Sequence, residues 1–263
     1  MRYRNYLYLL RVMIWHDIES HYKGTVAGKL WLVISQLMQI ATFTFVFSYL
    51  LKLKTNIKGA HEDIYTYGIW FFAGLLPWTA FSAGITRASV SVINQVNLVK
   101  RVIFPLEIIP LVPIISVFIE SLVGFAVLVV AALLVLKVFH FAMILLPVVW
   151  IAQLLFTAGI GYMLAGFTVF LRDIPRATEV LIHLWFFFTP IAYPVSVFSD
   201  QLRRLSFCLN PLALYSQMYR ELVLSGSSAY WREFVWMFAV SLVVFLIGFG
   251  FYKRASINFS EGV

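Results

Sequence analysis

The stretch IIPLVPIISVFIESLVGFAVLVVAALLVL, residues 108–136, decides the fold class of this chain. Its one charge is Glu120. A strand of an outer-membrane barrel alternates apolar and polar residues over about 10 positions, whereas a membrane helix needs about 20 apolar residues in succession. Residues 141–171 repeat the pattern with no charge at all. Both runs therefore read as helices. The segment 106–136 would measure about 46 Å as a straight helix. The hydrocarbon core is about 30 Å thick, so this span is expected to tilt or protrude.

Composition agrees. Of 263 residues, 62% are apolar, 17% aromatic and only 12% charged, with mean hydropathy +0.88. A soluble domain carries about 25% charged residues. This chain cannot cover a water-facing surface, which excludes a soluble enzyme, a nucleic-acid binder and a disordered chain. The formal charge of +8 would suggest nucleic acid in a soluble protein. Here it fits loops that face anionic lipid. The single cysteine, Cys208, excludes an intrachain disulfide, CxxC chemistry and a cysteine-based zinc site.

Residues 1–29 lack the uninterrupted apolar core and cleavage site of a signal peptide. Apolar side chains at Tyr3, Leu7, Leu10, Ile14 and Ile18 recur on one helical face. An amphipathic helix in the membrane interface is expected. Spans are expected at 30–51, 67–85, 106–136, 141–170, 178–193 and 234–252. Pro77 is expected to kink the second. Residues 52–64 read as a polar exposed loop, 86–105 as a cytoplasmic connection, 171–176 as a short charged turn and 255–263 as a tail. The fifth span is short and broken by Pro190 and Pro194. Residues 195–231 are too polar to span and too apolar for a free loop, so one or two re-entrant or interfacial helices are expected on the outer side. With both termini inside, twelve of the 20 Lys and Arg fall on cytoplasmic segments and eight on outer ones. The fold class expected is an all-α polytopic membrane protein. It has six transmembrane helices, an N-terminal interface helix and re-entrant helices between spans five and six.

No GxxxxGK[ST] loop, HExxH or G-x-S-x-G occurs, and the five histidines are scattered. No internal repeat is evident, which weakens an inverted-repeat carrier.

Five motifs in order carry a resemblance that covers nearly the whole chain. They are residues 21–31 (HYKGTVAGKLW), Gly74-Leu75-Leu76-Pro77-Trp78, residues 97–110 (NLVKRVIFPLEIIP), Leu171-Arg172-Asp173-Ile174 followed by Pro190, and Asn210-Pro211. The chain resembles the type-2 ABC transporter permeases of polysaccharide exporters. Within them, the Arg172-Asp173-Ile174 turn is similar to the O-antigen and teichoic-acid branches, capsule permeases being less alike. The resemblance implies a homodimer in the bacterial cytoplasmic membrane, joined to two copies of a separate ATPase that binds ATP and Mg. The implied cargo is a polysaccharide on an undecaprenyl diphosphate lipid, most like O-antigen, with teichoic acid or capsule as alternatives.

A permease without a phosphate loop must receive ATP's energy by contact. The N-terminal helix, 86–105 and 171–176 are the expected docking surface, with Asn94, Asn97, Lys100, Arg101, Phe104, Arg172 and Asp173 as coupling residues. Lys100 and Arg101 also read as ordinary positive-inside residues. Sugar rings stack on aromatic faces, so Phe43, Phe47, Tyr49, Trp185 and Phe188 are candidate channel residues, from the aromatic clusters at 43–49 and 185–188. Gln36, Gln39, Thr42 and Thr44 add polar groups to the first span. Aromatics at helical spacing are also ordinary core or lipid-facing residues. Glu120 is an intramembrane acid, either functional or structural, with His183 as a partner on chemistry alone. A proton-coupled carrier or channel using Glu120 is the rival reading. Arg203, Arg204 and Arg220 are expected to meet outer headgroups.

Overall fold

All regular structure among the described residues is helical. The computed structural model describes residues 2–50, 64–99, 104–137, 139–227 and 229–259. Its α-helices are α1 (Arg2–Tyr22), α2 (Trp31–Phe43), α3 (Ile64–Ser91), α4 (Val96–Val99), α5 (Ile108–Ala131), α6 (Leu146–Phe170), α7 (Ile174–Phe188), α8 (Asp200–Leu209), α9 (Pro211–Arg220) and α10 (Trp231–Ala255). π-Helical stretches continue α2 over Thr44–Leu50, α5 over Ala132–Leu136 and α9 over Glu221–Ser225. Most of the polar loop 52–64, together with Lys100 and Arg101, lies outside the described residues.

Five segments are long and apolar enough to cross a bilayer: Gly28–Leu50, Tyr65–Ser91, Ile108–Leu136, Phe141–Phe170 and Trp231–Asn258. They correspond to expected spans one to four and six. The second runs past its expected end at 85, so Arg87 belongs to a helix rather than to a loop. Pro77 lies inside that continuous helix, and its carbonyl accepts a hydrogen bond of 2.7 Å from Gln153 Nε2 on α6. Helix α7 has 15 residues, about 22 Å of rise.

Helix α3 is the axis of the molecule, buried on every side along most of its length. That environment explains its sequence, which has aromatic and aliphatic residues all round instead of an apolar stripe. Its first half packs on α9 and the π-helical end of α2, and its second half on α5, α6 and α7. Helices α6 and α10 form the most extensive pair. A Cβ on Gly248 would stand 2.1 Å from the Gly159 carbonyl oxygen, so only glycine lets these backbones meet. In lipid, where burial of apolar surface offers no gain over the tails, such close packing is what associates helices.

The ends of α3, α6 and α10 and the start of α5 converge at one pole. There Tyr162 and Tyr252 hydroxyls donate to the Glu107 and Leu106 carbonyls at 2.8 and 2.9 Å. Helix α1 lies beside this pole against α5, with Ile18 buried and the Ser116 hydroxyl 3.4 Å from the Ile14 carbonyl. Part of the periodic stripe of α1 is thus covered by protein. Leu7, a member of the stripe, is exposed together with Tyr8, Val12 and Trp15.

At the other pole, residues 200–225 form the two short helices α8 and α9, joined at Asn210-Pro211. One expectation is overturned here. Arg220 does not reach outward to headgroups: it is 2% exposed and donates to three main-chain carbonyls. Arg204 is exposed.

Candidate functional site: a polar groove between α3 and α7

A bilayer-embedded helix normally turns apolar side chains to its exposed face. Helix α7 has a different exposed face. Glu179 and His183 are four residues apart on one exposed face, and Phe187 continues the same line. Opposite them α3 presents Trp78, Ser82 and Thr86 at matching four-residue steps, with Arg87 at the end. Together with Ala83, Ile182 and Phe186 these residues line a groove of about 620 Å³.

The groove has two chemical surfaces. One is aromatic: Trp78 and Phe186 meet edge to face at 5.5 Å, and Phe186 meets Phe187 at 5.6 Å. The other is polar. His183 Nδ1 lies 2.6 Å from the Glu179 carbonyl, which can only accept, so Nδ1 carries a proton and Nε2 is left free of this contact. Hydroxyls, a carboxylate, an imidazole and a guanidinium beside flat rings can hydrogen-bond a hydroxyl-rich ligand while stacking its C–H faces.

Arg87 links the groove to α5. Its Nη2 pairs with Glu120 Oε2 at 3.3 Å. The partner of Glu120 is therefore Arg87, whereas His183 hydrogen-bonds its own helix. The pair is only partly exposed, and a carboxylate with a guanidinium opposite it is charge-compensated. Tyr22 of α1 lies beside it. Burial first, and then the negative charge of Glu120, push the Tyr22 phenol up to about 12, with Arg87 opposing.

The predicted channel residues occupy three other places. Phe43 and Phe47 pack against Phe71 at 4.4 and 5.0 Å, turned toward α3. Tyr49 is exposed in an apolar groove of about 1010 Å³ between α2 and α5. Trp185 and Phe188 line a third groove, about 860 Å³, on the flank of α7 facing α6 and α8. Trp185 Nε1 donates to Asn210 Oδ1 at 3.1 Å. Gln36 is packed over Gly124 of α5, and Thr44 against Gly68. None of the five predicted aromatics lines the α3–α7 groove. The signal that marks the groove in the sequence is the pair Glu179 and His183, two polar side chains at helical spacing in an otherwise apolar and aromatic stretch.

Among the coupling candidates, Asn94 and Asn97 are exposed just beyond α3, and Phe104 packs into the pole where α5 begins. Arg172 and Asp173 are exposed in the turn between α6 and α7. These segments follow the ends of α3 and α6, at the same pole as α1.

Architecture and composition together define a multi-pass helical membrane protein, here with a groove of polar and aromatic residues between α3 and α7. Residues 8–224 match the ABC-2 type transporter family, and the chain belongs to that family. It is similar to the O-antigen export system permease protein RfbA of Myxococcus xanthus, with 26% identity over 97% of this chain and 95% of that protein. Two proteins of the same name from Klebsiella pneumoniae are 26% and 27% identical, each over 99% of this chain and 98% of their own length.

Proposed function

We propose that this chain is the permease subunit of an ATP-driven exporter that moves a lipid-linked polysaccharide, of the O-antigen kind, outward across the bacterial cytoplasmic membrane. Teichoic acid and capsule are the neighbouring cargoes. The observation that carries this reading is the α3–α7 groove. Polar and aromatic side chains along two membrane helices suit a sugar chain and suit lipid poorly. The likeness to O-antigen export permeases along almost the full length adds to it.

A groove open on one side needs a cover, and a second copy facing the first would close it into a conduit. Helix α7 runs antiparallel to α3. Its start shares the groove with Arg87, and the chain just after its end accepts a 2.5 Å hydrogen bond at Ala192 from Tyr67. Tyr67 and Arg87 are 20 helical residues apart, about 30 Å, which matches the hydrocarbon thickness. This supports a sixth crossing by α7 and its following corner, and cytoplasmic termini with it. Helices α8 and α9 would then be the outer re-entrant pair.

ATP and Mg would be held by two copies of a separate ATPase. Helix α1, residues 92–99, Phe104 and the Arg172-Asp173 turn lie at one pole on which such a subunit could press. Lys100 and Arg101 belong to the same segment. The exposed Leu7, Tyr8, Val12 and Trp15 of α1 suit the membrane interface.

The test is complementation in a strain lacking this chain. Wild type restores surface polysaccharide and co-purifies with an ATPase. The double substitution Glu179→Leu and His183→Leu, which makes α7 apolar, is expected to keep membrane level and ATPase binding while export falls at least about tenfold. Undiminished export would overturn the groove as the path.

A further inference from the structure

A helix leaves its last four carbonyls without intrahelical donors, and at membrane depth no water is present to serve them. The chain leaving α7 compounds the problem, because Thr189-Pro190-Ile191-Ala192 turns a corner and Pro190 has no N–H to give. Side chains of other elements serve this corner. Phe188 O accepts from Asn210 Nδ2 at 3.3 Å, and Ala192 O from the Tyr67 hydroxyl at 2.5 Å. Between them, Pro190 O and Ile191 O accept from Arg220 Nη1 and Nη2 at 2.8 and 2.5 Å.

The same guanidinium reaches a third element. Its Nε donates to Trp70 O on α3 at 3.1 Å, and its carbon lies 3.5 Å from the centre of the Trp70 ring. Among the described residues no carboxylate pairs with it. Carbonyl dipoles and the negative face of the indole hold the charge. One planar fork thereby joins α9, α3 and the corner after α7, a task that a lysine, with one compact ammonium, cannot perform in the same geometry. Room for it comes from Gly74, where a Cβ would stand 2.2 Å from Nη2. The Ser216 hydroxyl donates to the Gly74 carbonyl at 2.8 Å and holds α9 at that distance.

We infer that Arg220 is the positioning residue for the outer end of α7: through Trp70, Pro190 and Ile191 it fixes one wall of the transport groove to α3, in a slot that Gly74 keeps open. The consequence for export rests on the groove reading of the preceding section. The placement itself does not.

The chain carries its own reporter. Cys208, the single cysteine, is exposed on α8 in line with Gln201 and Arg204, two residues before Asn210. The experiment compares wild type, Arg220→Lys, Gly74→Ala and the double variant, as full-length chains in the native membrane. It reads the labelling rate of Cys208 by an impermeant maleimide, and surface polysaccharide. Both single variants are expected to reach normal membrane levels, to change the labelling rate about fivefold or more and to lower export about tenfold. The double variant is expected to be no worse than Arg220→Lys, since the methyl group added at position 74 then meets no guanidinium. Unchanged labelling in both single variants overturns the placement. Strictly additive effects overturn the role of Gly74. Changed labelling with full export overturns positioning for transport. Failure of Arg220→Lys alone to accumulate replaces positioning with a folding role. Should wild type export no polysaccharide, the groove reading falls while the labelling arm still decides the placement.

Discussion

Helices α2 and α3 are both apolar and of crossing length, yet they are held in opposite ways. In the most apolar stretch of the α3 span 83% of residues are buried, against 6% in the first span. Helix α3 is clamped at one end by Arg220 and Tyr67 and in the middle by Gln153, and it reaches α5 through Arg87. Helix α2 has no fully buried residue. Its attachments are Phe43 and Phe47 on Phe71, Gln36 over Gly124, and Thr44 against Gly68. Hydropathy alone does not distinguish them. One is the spine against which α7 is fixed, and the other is peripheral in the single chain.

The largest effect expected lies on the rigid side. Gly248→Val on α10 drives a side chain into the Gly159 backbone, which cannot yield as a flexible side chain could. We expect a loss of about 3 kcal/mol or more, read as absence of folded chain from detergent extracts. Normal thermal stability of this variant would contradict the close α6–α10 contact.

Next comes the contrast itself. Phe71→Ala, in the buried spine, is expected to cost about 3–5 kcal/mol. Leu37→Ala, on the exposed face of α2, should stay within about 0.5 kcal/mol. Comparable losses from the two would erase the distinction between spine and periphery.

The Arg87–Glu120 pair sharpens it further. Glu120→Gln alone leaves Arg87 facing a neutral amide, and Arg87→Gln alone leaves a largely buried carboxylate without its partner. Each is expected to destabilise by about 1–3 kcal/mol, and the double substitution by less than the sum. Thermal melts of the four chains give the coupling. Export should survive Glu120→Gln largely intact. Abolished export at normal stability would favour a proton-coupled role for this acid.

Smallest is an alkaline effect. Because the Tyr22 phenol is raised from 10.0 to about 12, the folded state favours its neutral form. Its contribution is complete below pH 10 and is lost as pH rises toward 12. Tyr22→Phe should therefore flatten the fall in stability between these values and change nothing near neutrality.

How much of this is legible in the sequence depends on whether a property is local. Long apolar runs announce five spans because hydrocarbon thickness sets their length. Helix α7 is not announced in this way, because it has only 15 helical residues and the carbonyls of the corner after it are served from α3 and α9, far away in sequence. Arg87 reads as a loop residue because the Glu120 that compensates it lies 33 positions away. Arg220 fails in the same manner. A guanidinium between apolar runs suggests headgroups until the carbonyls of residues 70, 190 and 191 are brought around it. For the groove, aromatic content points to the 185–188 cluster, but helical phase puts Trp185 and Phe188 on one flank of α7 and Phe186 and Phe187 on the other. Phase relative to a neighbour is not written in one helix.

The most direct measurement places a photo-crosslinking amino acid in turn at His183, at Phe187 and at the exposed Trp236 of α10 in exporting cells. The chain is then probed for attached polysaccharide. Polysaccharide-bearing adducts are expected from residues 183 and 187 and none from 236. Adducts confined to another face, or none from the groove in cells that export normally, would contradict the groove as the path.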